Sequence, residues 1–308
     1  MSIRQSSRPT AIAATTLLHI HPSSFRLPPF LLGLLLTVLV SAGQLAAQET
    51  RQMVVRQTPD KVPYGLIGDV ENRKTPAPTL VVFAHSVETM QKQPIYTEAC
   101  AILAKQDWVS VIIEPPCHGA DIRPGEPEQL NGWRHRLDNC EDFIGPFAKR
   151  ASAVLDLLIE QKIADPTRVA AFGTSRGGFL AYHFAAIDPR IKATSAISPV
   201  TRLTALREFT SMSHRENADK LDVEKLGPAL AGKAVWLSIG NNDARVNTDD
   251  AIEFTRSVVR ATARPETPDA QIPVELIVGP AKGHSKIDQA HELLAVWLVA
   301  QISAQPKK

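Results

Sequence analysis

From residue 80 onward the apolar residues of this chain fall into short unbroken runs, bounded by glycine or proline and separated by stretches with helical spacing. Leu80–Ala84, Val109–Glu114, Arg168–Phe172, Ala193–Ile197, Ala234–Ile239 and Val274–Val278 read as strands. They are rich in aliphatic residues and largely lack polar alternation, as strands buried on both faces do. Tyr96–Gln106, Phe143–Gln161, Gly177–Ala186, Asp249–Arg260 and Ile287–Ile302 read as helices. The longest gathers Phe147, Ala151, Val154, Leu157 and Leu158 on one face. Val54-Val55 and Tyr64–Ile67 read as edge strands that open the domain. Strands alternating with helices predict an α/β fold, a mostly parallel central sheet with helices on both faces. Such sheets bind ligands at the carboxyl ends of their strands. Thr201–Leu230 is a polar, partly helical excursion and the one lid candidate, so no large cap domain is expected. There is no internal repeat.

The N-terminus follows a different pattern. Phe30–Val40 is an apolar run of about 11 residues, preceded by Arg26 and followed by small residues at 41–43 and 46–47. That is the order of a secretory signal, and the run falls short of the ~20 residues of a membrane-spanning helix. The expectation is a signal peptide over residues 1–47, cleaved after Ala47, and an exported protein, periplasmic or secreted, with no stable membrane span. An uncleaved signal anchor, which would leave the protein membrane-anchored, is the alternative.

The 308 residues carry a formal net charge of +2. Arg4, Arg8 and Arg26 lie in the first 47 residues, which hold no acid; the remainder has 31 basic against 32 acidic residues, a charge of −1. Nothing electrostatic therefore points to nucleic acid. The three cysteines lack zinc-site spacing, and being odd in number they leave at least one unpaired in a monomer. Cys100 lies in a helical apolar pattern. Cys117 and Cys140 share a long loop region and are candidates for a disulfide in an exported protein. Oligomeric state is not legible.

The sharpest chemical signal is Gly173-Thr174-Ser175-Arg176-Gly177, between the strand ending at Phe172 and the helix beginning near Gly177. G-x-S-x-G at a strand-to-helix junction is a nucleophile elbow. Small residues let strand and helix approach, Ser175 takes a strained backbone conformation, and the Arg176 N–H points toward a developing oxyanion. A serine needs a base, and the base an orienting acid. In the chain order serine, acid, histidine, Asp243 follows the strand ending at Ile239, and His284 follows the strand ending at Val278. Asp249 and Asp250 look instead like first-turn helix acids. His214 precedes the acid, and His291 is buried in a helical run. The second oxyanion donor is expected from the loop after Leu80–Ala84, with the backbone N–H groups of Ser86 and Val87 as candidates. His85 reads as structural. No metal or organic cofactor is required.

These motifs resemble those of the α/β-hydrolase superfamily, and within it the prolyl-oligopeptidase-like and dienelactone-hydrolase-like group. Gly173-Thr-Ser-Arg-Gly-Gly178 matches the serine motif, Gly240-Asn-Asn-Asp-Ala-Arg-Val246 is similar to the acid motif, and Gly283-His284 to the histidine motif. The likeness covers about Leu80 to Ala300. It implies Ser175, Asp243 and His284 as the catalytic triad, with residues 48–78 a polar segment carrying edge strands and 79–308 the catalytic domain. Pro115-Pro-Cys-His-Gly119 is similar to a loop that shapes the pocket in relatives, so His118 is not expected to be the base. His85, His118, Trp133 and Arg176 are the pocket candidates, and Asp121, Arg123, Arg134 and Arg136 either line the mouth or form loop salt bridges. Arg176 either meets an acidic substrate group or pairs with a carboxylate of the protein. Peptidases of the group carry an aromatic residue after the serine and a large N-terminal propeller. Arg176 and the length of the chain therefore favour a serine esterase acting on small or medium acyl esters. A small exopeptidase or amidase, and an inactive binding protein of the same fold, are the other readings.

Overall fold

The computed structural model describes residues 52–264, 266 and 271–303; the expected signal peptide lies outside them. Eight strands form one sheet: β1 (Val54–Gln57), β2 (Pro63–Ile67), β3 (Ala77–Phe83), β4 (Val109–Ile113), β5 (Ala164–Thr174), β6 (Ile191–Ile197), β7 (Ala234–Gly240) and β8 (Val274–Gly279). Their order is β1-β2-β4-β3-β5-β6-β7-β8. β1 and β2 pair antiparallel, and β2 also meets β4 antiparallel; every other pairing is parallel. The chain leaves β3 for β4 on one side and returns as β5 on the other. That reversal opens a crevice at the carboxyl ends of β3 and β5, where open α/β sheets place ligands.

The two-residue period of the strands divides the core. Val81 and Phe83 of β3, Val169 and Ala171 of β5, and Val235, Leu237 and Ile239 of β7 face one layer. Leu80 and Val82, Ala170 and Phe172, and Ala234 and Trp236 face the other. The first layer is covered by α3 (Gln129–Asp138), α4 (Ile144–Glu160), α5 (Arg176–Ile187) and α8 (Thr248–Thr262). The second is covered by α1 (Val87–Lys92), α2 (Glu98–Ala104) and α9 (Ala290–Ser303). Residues 203–230 form short helical turns that include α6 (Arg215–Asp219) and α7 (Gly227–Leu230).

Several expectations need correction. β8 is an edge strand rather than one buried on both faces, and Val278 is 42% exposed. The helix expected over 96–106 begins only at Glu98, because Pro94–Tyr96 forms a separate 3-10 turn. α1 and α3 occupy stretches read as loop. α1 starts at the N-cap Ser86, whose Oγ accepts from Thr89 N–H (3.3 Å). α3 is largely polar and buries Leu130, Trp133 and Leu137 at helical spacing. α3 also keeps Cys117 and Cys140 apart. The Gln129 N–H donates to Cys117 O (2.8 Å) at the start of this ten-residue helix, and Cys140 lies beyond its end. Such a helix spans about 15 Å, against the ~7 Å Cα separation that a disulfide tolerates. All three cysteines are free. Cys117 is buried, its thiol pushed up to about 12 chiefly by burial, and Cys140 is exposed.

Candidate active site

Ser175 sits at the turn from β5 into α5 with φ 54° and ψ −116°, a conformation outside the usual regions for an L-residue. Neighbours hold it there. The Ser175 N–H donates to Ile197 O, and the Ser175 carbonyl accepts from Gly178 and Val200 N–H, each at 3.0 Å. Two glycines make the turn possible. A Cβ at Gly173 would fall 2.0 Å from Gly177 C, and one at Gly177 1.8 Å from Phe83 O. α5 therefore docks directly on the end of β3, and the motif glycines are steric requirements.

Asp243 and His284 approach from the β7–β8 side. Asp243 follows β7 and is buried. Its Oδ1 accepts from the N–H groups of Arg245 (3.0 Å) and Val246 (3.3 Å), which leaves Oδ2 for His284. The Thr248 hydroxyl folds the loop back, donating to Gly240 O (2.7 Å) while Asp243 N–H donates to it (3.1 Å). The His284 Nδ1–H donates to Asp243 Oδ2 (2.8 Å), and the Ser175 hydroxyl donates to His284 Nε2 (2.9 Å). A carboxylate on Nδ1 fixes the tautomer that leaves Nε2 as a base. The Ser198 hydroxyl donates to Ser285 O (3.2 Å), which ties the histidine loop to the end of β6. The structure thus brings together the three residues expected from sequence. It also places Asp249 and Asp250 in the first turn of α8, with Asp250 paired to Arg202 at 2.9 Å.

The β3–β4 side differs from expectation. Ser86 N–H donates to His85 Nδ1 (2.9 Å), and Val87 N–H donates to Glu114 Oε1 (3.0 Å). Neither is free to meet an oxyanion, because each N–H already has an acceptor in the protein. Among the described residues no protein acceptor is found for the backbone N–H of His85 or of Arg176. Both residues line the cavity above Ser175, so the second candidate donor moves to His85. The buried Glu114 sets this loop, since its other oxygen accepts from Ala120 N–H (2.8 Å) and so braces the loops after β3 and β4 together.

The pocket candidates separate. His85 and Arg176 line a cavity of about 240 Å³ together with Ile95, Tyr96, Ser175 and His284. Trp133 does not: it is fully buried and donates its Nε1–H to Pro116 O (2.7 Å). His118 is also buried and reaches the cavity only through Arg176. The ring packs edge-on against His85, the Nδ1–H donates to Pro116 O (2.8 Å), and Nε2 accepts from Arg176 Nη1 (3.1 Å). Burial, foremost, pushes His118 down to about 3, so it is neutral at ordinary pH. Asp121, Arg123, Arg134 and Arg136 do not line this cavity. Arg136 is sandwiched between Asp121 (3.0 Å) and Glu126 (2.8 Å), Arg123 pairs with Glu141 (2.6 Å), and Arg134 donates to Ser211 (3.1 Å). Glu114 and Gln129 escaped the sequence reading. A buried acid ending an apolar strand was the available sign for Glu114; none marks Gln129.

A polarised serine, an oriented imidazole and an elbow at a sheet's carboxyl edge define a serine hydrolase of the α/β-hydrolase type. The chain belongs to the prolyl oligopeptidase family, whose sequence model matches residues 149–303, just over half of the chain. No curated protein matches it. Solved structures share the fold at low identity. A puromycin-hydrolyzing peptidase of Mycobacterium tuberculosis is 14% identical with a TM-score of 0.60, over 83% of this chain and 40% of its own. A glucuronoyl esterase from Solibacter usitatus is 13% identical with a TM-score of 0.56, over 81% of this chain and 82% of its own. A cold-adapted esterase from an Arctic intertidal metagenomic library is 16% identical with a TM-score of 0.57, over 81% of this chain and 92% of its own. The chain thus spans well under half of the peptidase and most of each esterase.

Proposed function

We propose that this serine hydrolase cleaves carboxylic esters of small or medium acyl groups. Ser175 Oγ attacks the ester carbonyl while His284 Nε2 takes its proton. The carbonyl oxygen gains negative charge and is held by the N–H groups of Arg176 and His85. The C–O bond to the alcohol breaks, and His284 returns the proton to the leaving oxygen. Water then attacks the acyl-Ser175 ester, giving its proton to His284, and Ser175 leaves with that proton as the acid is released. Asp243 stabilises the imidazolium in both halves.

One observation favours esters over the exopeptidase reading: among the described residues no acidic side chain lines the cavity, whereas three cationic ones do, Arg176, Arg245 and Lys286. An enzyme that removes residues from a peptide's amino end must hold an ammonium group, and charge complementarity demands a carboxylate there. The ~240 Å³ cavity sits below the ~300–1,000 Å³ range of drug-sized sites, which suits a short acyl chain. Purified protein is expected to react with a fluorophosphonate probe at Ser175 and to hydrolyse 4-nitrophenyl acetate and butyrate. Cleavage of aminoacyl 4-nitroanilides in preference to these esters would overturn the reading. The apolar run at Phe30–Val40 and the small residues after it support export, and N-terminal sequencing of protein from the producing cells is expected to begin at Gln48.

A further inference from the structure

Three cationic side chains line the cavity, and they differ in one respect. Arg245 is held by Glu208 through two hydrogen bonds of 2.8 Å, and Lys286 lies 3.5 Å from Glu98. Arg176 has no carboxylate within 4 Å among the described residues. Its polar partners are neutral: Nη1 donates to Gln129 Oε1 (2.8 Å) and to His118 Nε2 (3.1 Å). The His118 contact requires an unprotonated Nε2, and the Nδ1–H bond to Pro116 O enforces that tautomer. The guanidinium is therefore fixed in place by groups that cannot balance its charge. A guanidinium carries five N–H donors in a planar fork. Nε and Nη2 find no acceptor in the protein among the described residues, and neither is among its enclosed, unpartnered atoms. A half-buried cation with an unfilled fork beside a nucleophile is built for an anion brought by the ligand.

The position of the fork says which part of the substrate brings it. The departing alcohol must reach His284 Nε2 for its proton, and His284 comes from the β7–β8 side of Ser175. Arg176 extends the other way, to His118 after β4 and Gln129 at the start of α3. A group on Arg176 therefore belongs to the acyl half. We propose that the substrates are half-esters of short dicarboxylic acids, whose free carboxylate is held by the Nε–Nη2 edge of Arg176 while the ester carbonyl lies on Ser175. The proposal rests on the esterase reading and narrows it.

The test compares the monomethyl esters of succinic, glutaric and adipic acid with methyl butanoate, pentanoate and hexanoate on wild-type protein, with acid release followed at constant pH. Hydrogen bonds to a charged partner predict about a 10- to 100-fold higher kcat/KM for at least one half-ester over the neutral ester of similar length. That preference should fall at least about tenfold in Arg176→Met, survive in part in Arg176→Lys, and shrink with added salt. Inhibition by free glutarate should weaken in parallel. Equal rates on charged and neutral esters by wild-type protein overturn the carboxylate assignment and leave the esterase reading standing. So does an equal loss on both ester types in Arg176→Met, which would put the guanidinium on the reacting oxygen. Hydrolysis of neither ester, with nitroanilides cleaved, overturns both.

Discussion

On the β7–β8 side of Ser175 the polar groups are closed among themselves, whereas on the β3–β4 side several donors at the cavity have no partner among the described residues. Asp243 accepts from Arg245, Val246 and His284, and His284 accepts from Ser175. Across the cavity the N–H groups of His85 and Arg176 and the Nε–Nη2 edge of Arg176 are left over. The closed side manages a proton, a task that needs preset geometry before substrate arrives. The open side manages charge that appears only with substrate or in the transition state, so its donors must stay unsatisfied until then.

The most severe way to break the closed side is Ser175→Ala. Triad residues act as a unit, and turnover is expected to drop about 10⁴–10⁶-fold with loss of fluorophosphonate labelling. A variant that keeps a tenth of wild-type esterase activity would mean that another group is the nucleophile. Asp243→Asn should cost about 10⁴ in kcat. An amide retains the shape but can donate toward Nδ1, which favours the tautomer with Nε2 protonated and useless as a base. If kcat stayed within tenfold of wild type, Asp243 would be holding the loop and not the imidazole.

Damage to the open side should be smaller and of another kind. Glu114 touches no reacting atom. Its carboxylate ties Val87 N–H to Ala120 N–H and so sets the loop that presents His85. Glu114→Ala is expected to lower kcat about 10- to 100-fold, less than the roughly 100- to 1,000-fold cost of an oxyanion donor lost outright, with KM changed less than about threefold. Glu114→Gln keeps one acceptor oxygen and should recover part of the loss. A purely structural role would lower the unfolding midpoint of both variants and leave kcat per folded molecule intact, so the two are separable by active-site titration.

The same division decides what the sequence could disclose. The central runs of β3 to β7 are legible because both faces are buried there, which leaves mostly apolar or small side chains; the partly exposed Asp165–Arg168 start of β5 carries no such mark. Ser175, Asp243 and His284 are legible because each is the reactive residue in the first loop after an aliphatic run, that run being a buried strand for the first two and the edge strand β8 for His284. Backbone donors carry no residue signature, so Ser86 and Val87 were natural choices. What removes them is His85 Nδ1 and the Glu114 carboxylate, which take the two N–H groups, and the Val87–Glu114 contact joins residues 27 apart, which no local pattern announces. Trp133 looked like a pocket wall because α3 is too polar to read as a packed helix. Its spacing from Leu130 and Leu137 was visible, but an isolated triplet does not say which way it faces. The Arg176–Gln129 contact joins residues 47 apart across that helix, and local pattern has nothing to say about it.

Two histidines sharpen the comparison at its finest scale. His284 and His118 each donate from Nδ1 and accept at Nε2, one against a carboxylate and the other against a peptide carbonyl. For His118, burial depresses the value from the ordinary 6.5 of a histidine to about 3. A folded-state value below the unfolded one means that unfolding takes up a proton between those limits, so stability is full above about 6.5 and falls as the pH drops toward 3. His183 and His291, each pushed down to about 4 by burial, add to the same acid limb. Replacing His118 with glutamine removes one titrating group while keeping a donor for Pro116 O and an acceptor for Arg176. The slope of unfolding free energy against pH between about 6 and 4 should then flatten by up to one proton, about 1.4 kcal/mol per pH unit. An unchanged slope would show that His118 is protonated in the folded protein. Its ring could then not accept from Arg176, and the guanidinium on the open side would lose one of the two neutral partners that hold it.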